Sequence, residues 1–310
     1  MSAPLQQSNA PRIAVFGANG QVGWELQRAL APFAQVLATD HDSVDLSQPE
    51  AIHAWLNAQQ PDVIINAAAY TAVDKAESEA GLCRAINATA PAVMAQWAQQ
   101  HGVRLVHYST DYVFDGSKPA PYVESDATAP LNEYGRSKRE GELAIANSGC
   151  DYWIFRTSWV YGARGANFLL TMLRLASQRD QLSIVSDQIG APTWCRRLAQ
   201  HTAQAVHGAL HGQPFANSSS NGIYHLVAGN HTSWHGFAEA IFAHHAAAGH
   251  KVPSCTPIPT EAYPTPAQRP RNSRLDTTLF QHTFGQQPAT WQDDLTECMR
   301  EFHALHAQSR

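Results

Sequence analysis

A short apolar run, Arg12-Ile-Ala-Val-Phe16, ends directly on Gly17-x-x-Gly20-x-x-Gly23, and apolar residues at helical spacing then run from Val22 to Leu30 before Pro32 stops them. This order of strand, glycines and helix constrains the fold more than any other feature of the chain. Glycines let the backbone turn sharply and allow other groups to approach it closely. The helix that follows presents free N–H groups at its start, which suit a pyrophosphate. In this context Gly17, Gly20 and Gly23 read as a dinucleotide-binding loop rather than a plain turn. The next apolar run, Gln35 to Thr39, ends at Asp40, 23 residues after Gly17. A carboxylate there can bond the adenine ribose hydroxyls. It repels a 2′-phosphate, so between NADH and NADPH the expected preference is NADH.

Strand and helix patterns continue to alternate. Pro49 to Asn57 has helical spacing, Val63 to Ala67 is a third apolar run, and Ala85 to His101 is a long alanine-rich helix. Val103 to Tyr108 is a fourth strand, Tyr134 to Asn147 a helix, and Tyr152 to Arg156 a further strand. Such alternation with short connections predicts an α/β, doubly wound parallel sheet of Rossmann type. Ligands bind beyond the carboxyl ends of its strands, where Gly17, Ala69, Thr110 and Thr157 fall. After Tyr161 the pattern loosens. Helices are expected at Asn167 to Ser177, Leu198 to Leu210, Trp234 to Gly249 and from Trp291 towards His306. Strands are expected at Leu182 to Val185 and Gly222 to Val227. Pro214 to Gly222 reads as a polar loop, and prolines between Val252 and Arg274 favour extended segments and turns. The expected organisation is a flexible tail at 1–11, a dinucleotide-binding domain at 12–165 completed by elements within about 190–228, and a smaller C-terminal, mainly substrate-binding lobe at 166–310.

Charged residues make up 15% of the 310-residue chain and the net charge is −5 with no long basic block, which argues against nucleic acid as a partner. No apolar run reaches the roughly 18 residues needed to cross a bilayer. The first residues lack the basic start and apolar core of a signal peptide. Five scattered cysteines without a C-x-x-C pair fit reduced thiols in a cytoplasmic protein. The sixteen histidines are dispersed, with no H-E-x-x-H; His231 and His235 could share a helix face, but no histidine metal site is expected.

Tyr134-Gly-Arg-Ser-Lys138 places a phenol and an ammonium on one helix face. The ammonium favours phenolate, so Lys138 is expected to lower the Tyr134 pKa and make it a proton donor for a carbonyl under reduction. Thr110, 24 positions earlier at the end of a strand, can bond both a carbonyl oxygen and Tyr134. Ser109 is the rival for that hydroxyl.

Asn66-Ala-Ala-Ala-Tyr-Thr-Ala-Val-Asp-Lys-Ala-Glu77, Ser109-Thr-Asp-Tyr-Val-Phe-Asp115, Arg156-Thr-Ser-Trp-Val-Tyr161, Asp187-Gln-Ile-Gly-Ala-Pro-Thr193 and Arg269-Pro-Arg-Asn-Ser-Arg-Leu-Asp276 closely resemble the dTDP-4-dehydrorhamnose reductase family, from about Arg12 to Phe302. The resemblance implies reduction of the 4-keto group of dTDP-6-deoxy-L-lyxo-4-hexulose by NADH or NADPH, the last step of dTDP-L-rhamnose synthesis. It further implies that Gly20, Gln21 and Val22 contact the cofactor phosphates, that Asp45 and Leu46 meet the adenine, and that Ala69, Tyr70 and Thr71 line its middle. Tyr108, Tyr134 and Lys138 complete that site. Thr110, Asp111 and Trp159 are implied substrate contacts, with Trp159 a flat face for the sugar and Arg269 or Arg271 facing the diphosphate.

Some family members bind Mg²⁺ between subunits through a glutamate of the first helix and acidic residues soon after Pro-Thr. Glu25 matches the glutamate. Pro192-Thr193 is followed instead by Trp194-Cys195-Arg196-Arg197, and cations are poor company for magnesium, which takes oxygen ligands. No metal is therefore expected, and the chain is expected to be a monomer or a homodimer. The rival functions are a nucleotide-sugar epimerase or dehydratase that retains NAD⁺, and a non-catalytic dinucleotide-binding regulatory subunit.

Overall fold

The computed structural model describes residues 10–213, 215 and 221–307. Most of the tail at 1–11 and of the Pro214 to Gly222 loop lies outside these residues. Six parallel strands form the central sheet: β1 (Arg12–Phe16), β2 (Gln35–Thr39), β3 (Val63–Asn66), β4 (Arg104–Thr110), β5 (Asp151–Thr157) and β6 (Gly222–His225). Their order across the sheet is β6-β5-β4-β3-β1-β2. The strands read as continuous apolar runs because both faces are covered. Within β1, Ile13 and Val15 enter one core with Leu26 and Val206, while Ala14 and Phe16 enter the opposite core with Leu56 and Trp97.

The first face carries α1 (Gln21–Leu30) and a helix at Cys195–Leu210, which pack against each other. The second carries α2 (Pro49–Gln59) and α3 (Ala90–His101). The predicted helix from Ala85 is interrupted at its start: Ala85–Thr89 is a π-turn and regular helix begins at Ala90. Pro91 has no N–H to give the Asn87 carbonyl. Gly141 approaches that carbonyl so closely that an added Cβ would lie 2.2 Å from it. Asn132 caps α4 (Glu133–Ala146) by accepting from the Gly135 N–H at 2.8 Å.

The remaining chain gathers on a separate core of Tyr161, Leu169, Trp194, Phe237, Trp291 and Leu295. Here lie a helix at Phe168–Ala176, α5 (Trp234–Ala247) and α6 (Trp291–Ala307). In the proline-crowded stretch, Ser254–Ile258 forms a strand parallel to Gln181–Val185. A short helix at Thr278–Phe284, absent from the sequence reading, puts Phe280 into the first core.

Candidate active site

β1 and β3 are neighbours, but their connections leave in opposite directions across the sheet, and the crevice beyond their ends is the switch point of this topology. A cavity of 630 Å³ opens there. Gly17 has φ +84°, and a Cβ on it would meet the Ala68 backbone at 2.8 Å. Gly20 caps α1 without a side-chain hydrogen bond, and no acidic residue stands in the first turn, so the helix N-terminus faces the cavity uncontested. This cradle fits a dinucleotide pyrophosphate.

Of the residues expected at the cofactor, Gly17, Gly20, Gln21, Val22, Asp40, Leu46, Ala69, Thr71, Tyr108, Tyr134 and Lys138 line this cavity. Asp40 accepts from the Ser43 N–H and hydroxyl and from Asn19, and the Ser43 bond holds its carboxyl below the usual range. Three expected residues stand elsewhere. Gly23 does not line the cavity: a Cβ on it would lie 2.0 Å from the Gly17 carbonyl oxygen, so its part is close helix-on-turn packing. Asp45 turns back to accept from the Ser47 N–H at 2.9 Å. Tyr70 gives its hydroxyl to Glu79 at 2.5 Å.

Tyr134, on the first turn of α4, lines the cavity; Thr110, the last residue of β4, does not line it, but its hydroxyl bonds the phenol. Thr110 Oγ1 also lies 3.0 Å from Asp111 Oδ1. Burial pushes the Asp111 carboxyl up to about 6, against the pull of the Ser273 and Thr110 hydroxyls. The expected effect of Lys138 on Tyr134 is corrected. Desolvation raises the phenol above its ordinary value, and the Thr110 bond only partly offsets it. Lys138 is buried and turned to the sheet: Nζ donates to the Tyr108 carbonyl at 2.6 Å and lies 3.0 Å from His107 Nε2. Burial brings Lys138 down to about 8 and, with the nearby ammonium, keeps His107 neutral. Asn66 braces the other ring nitrogen of His107 at 3.1 Å. Tyr108 thus serves Lys138 through its backbone, while its hydroxyl bonds Thr202 at 2.6 Å.

Trp159 takes φ +49°, unusual for a bulky residue. Its ring stacks on Trp234 at 3.6 Å between centroids, and a Cβ at Gly190 would meet its indole at 2.6 Å. Arg269 and Arg271 line a second cavity of 490 Å³ rather than the first. Arg269 pairs with Asp74 at 2.9 Å and Arg271 with Glu261. Glu25 is held by Arg196 through two bonds of 3.0 and 3.1 Å, and Arg196 also pairs with Glu301. A carboxylate already held by a guanidinium does not fit a magnesium site. Ser109, the rival for the hydroxyl role, lines the first cavity; Asn19 and Val160 also line it and were not placed there by sequence. Ser109 and Thr157 present buried hydroxyls without a hydrogen-bond partner among the described residues; the strand-end position of Thr157 was the available signal.

A pyrophosphate cradle at the switch point, with a Tyr-x-x-x-Lys helix and a strand-end threonine beside it, defines a nicotinamide-dependent oxidoreductase of the short-chain reductase type. The model of the family described as RmlD substrate binding domain matches residues 11–304. A dTDP-4-dehydrorhamnose reductase of Burkholderia thailandensis is 48% identical over 294 residues, 94% of this chain and 98% of that protein. The crystal structure of dTDP-4-dehydrorhamnose reductase from Bacillus anthracis, in complex with NADP, superposes with a TM-score of 0.84 at 35% identity, over 94% of this chain and 99% of that one. The chain belongs to the dTDP-4-dehydrorhamnose reductase family. The Thermus thermophilus UDP-glucose 4-epimerase shares the fold, with a TM-score of 0.77 at 19% identity over 94% of this chain and 99% of that one.

Proposed function

We propose that this chain reduces the C4 carbonyl of dTDP-6-deoxy-L-lyxo-4-hexulose to give dTDP-L-rhamnose, with NADH or NADPH as reductant. The observation that carries the reading is Tyr134 lining a dinucleotide cavity with Lys138, its phenol bonded by the strand-end Thr110, in a chain of this family. The nicotinamide supplies the hydride. Thr110 orients and polarises the carbonyl oxygen. Tyr134 gives that oxygen its proton, and its raised pKa keeps the phenol protonated until the oxygen turns basic. Lys138, anchored on the Tyr108 carbonyl and lining the same cavity, holds the nicotinamide ribose. Asp111 and Trp159 contact the sugar. Arg269 or Arg271, both on the second cavity, binds the diphosphate. Domain limits near residue 165 and a cytoplasmic location complete the proposal, the latter supported by five free cysteines. Among the described residues no helix is long and apolar enough to cross a membrane.

The test follows absorbance of the reduced cofactor with the dTDP-4-keto sugar. Net consumption is expected; catalytic, non-consuming use of NAD⁺ would mark an epimerase. Tyr134→Phe is expected to bind the cofactor normally and to lose about 10²–10⁴-fold in kcat. Near-normal turnover by that variant would remove Tyr134 from the proton-donor role.

A further inference from the structure

Three histidines that lie far apart in the sequence converge on the C-terminal lobe. His245 stands near the end of α5, His250 in the loop beyond it and His303 in α6. One ring nitrogen of each lies within 4.8 Å of the other two. The rings are nearly parallel, with centroids 4.2 Å apart for His245 and His250 and 5.5 Å for His303 to each of them. His245 Nδ1 and His303 Nε2 are buried and have no hydrogen-bond partner among the described residues. Burying such atoms unpaired costs stability, which a ligand would restore.

We propose that His245, His250 and His303 form a binding site for a divalent first-row transition ion, of which Zn²⁺ suits the ligands best. Three imidazoles without a carboxylate suit zinc, copper or nickel and disfavour magnesium or calcium. Three protein nitrogens leave a fourth position for water. The nearby Asp180 is tied to Lys251 at 2.5 Å, and both line a cavity of 330 Å³ beside His245 and His250. Nitrogens bound to one tetrahedral zinc lie about 3.3 Å apart, so the nitrogens close by up to about 1.5 Å on binding and the stacked rings turn to aim their in-plane lone pairs at the ion. His250, on a loop, can supply most of that movement. None of the three histidines lines the dinucleotide cavity. The ion therefore acts as a clamp of α6 on α5, independent of the reductase chemistry.

The experiment uses the untagged full-length chain, stripped with EDTA and titrated with Zn²⁺ by calorimetry and by thermal unfolding. One ion per chain is expected, with a rise in Tm of about 4–6 °C at a hundredfold excess over Kd. His250→Asn and His303→Gln are each expected to abolish that stoichiometric binding and the Tm rise while leaving metal-free reductase activity unchanged. Binding weaker than about 10⁻⁴ M, or a Tm rise that survives either substitution, would overturn the proposal. Should a variant fail to fold, Co²⁺ added to the unsubstituted chain decides. A tetrahedral, imidazole-type visible spectrum supports the site, and the spectrum of octahedral, hydrated Co²⁺ refutes it.

Discussion

Lys138→Met isolates the energetics of a buried ammonium at the centre of the site. Lys138 is 1% exposed, and burial brings its pKa from 10.5 to about 8. The unfolded chain holds this proton up to about 10.5, whereas the folded chain releases it near 8. Between those values the unfolded state binds more protons, so the contribution of Lys138 to stability rises with pH. At 1.36 kcal/mol per unit, charge burial costs about 3 kcal/mol below pH 8 and almost nothing near pH 10.5. Methionine carries no charge. It leaves the Tyr108 carbonyl without its donor, which costs about 1–3 kcal/mol at any pH in this range. The slope is therefore diagnostic and the offset is not. Urea unfolding of both proteins at intervals from about pH 7 to about pH 10 is expected to show the unsubstituted chain gaining about 2–3 kcal/mol on the variant. Other tyrosines and cysteines titrate in both proteins and cancel. Parallel stability curves, or a gain by the variant, would refute the view that burial dominates at Lys138. The same variant is expected to lose most turnover.

Three further substitutions probe neighbouring parts of the argument. Thr110→Val keeps the side chain's shape and removes the hydroxyl shared by Tyr134 and Asp111; kcat/KM is expected to fall by about 10²-fold, and a change under threefold would exclude Thr110 from carbonyl activation. Gly23→Ala gains helix propensity of up to about 1 kcal/mol but drives a Cβ to within 2.0 Å of the Gly17 carbonyl. The clash wins: stability falls by about 2–3 kcal/mol in urea unfolding, and dinucleotide binding weakens with it. Asp40→Ala removes a carboxylate from the adenine end of the cavity, so the ratio of kcat/KM for NADPH to that for NADH is expected to rise about three- to fivefold. An unchanged ratio would show that Asp40 does not set cofactor choice.

Signals that lie within a few residues were legible in the sequence. The glycine loop, the strands that run apolar into it, the helix carrying Tyr134 and Lys138, and the threonine at the end of β4 all depend on local spacing, and local sterics and hydrogen bonding largely decide such features. Long-range contacts decided the rest. The pairing of Gln181–Val185 with Ser254–Ile258 joins segments about seventy residues apart. Trp159 stacks on Trp234 because its backbone takes a left-handed conformation that no local pattern announces. Arg196 was recognised as an unsuitable magnesium ligand, but only folding placed it on Glu25. Lys138 was expected to act on the phenol from the helix spacing alone. In the fold it is drawn to a strand carbonyl and a buried histidine, and desolvation rather than the ammonium sets the tyrosine. The three converging histidines follow the same rule, since they looked dispersed until two helices were packed together. Spacing along the chain determines which groups share a helix face or a strand end. Which of them lose water, and which partner they find when they do, is settled by packing between segments far apart in sequence.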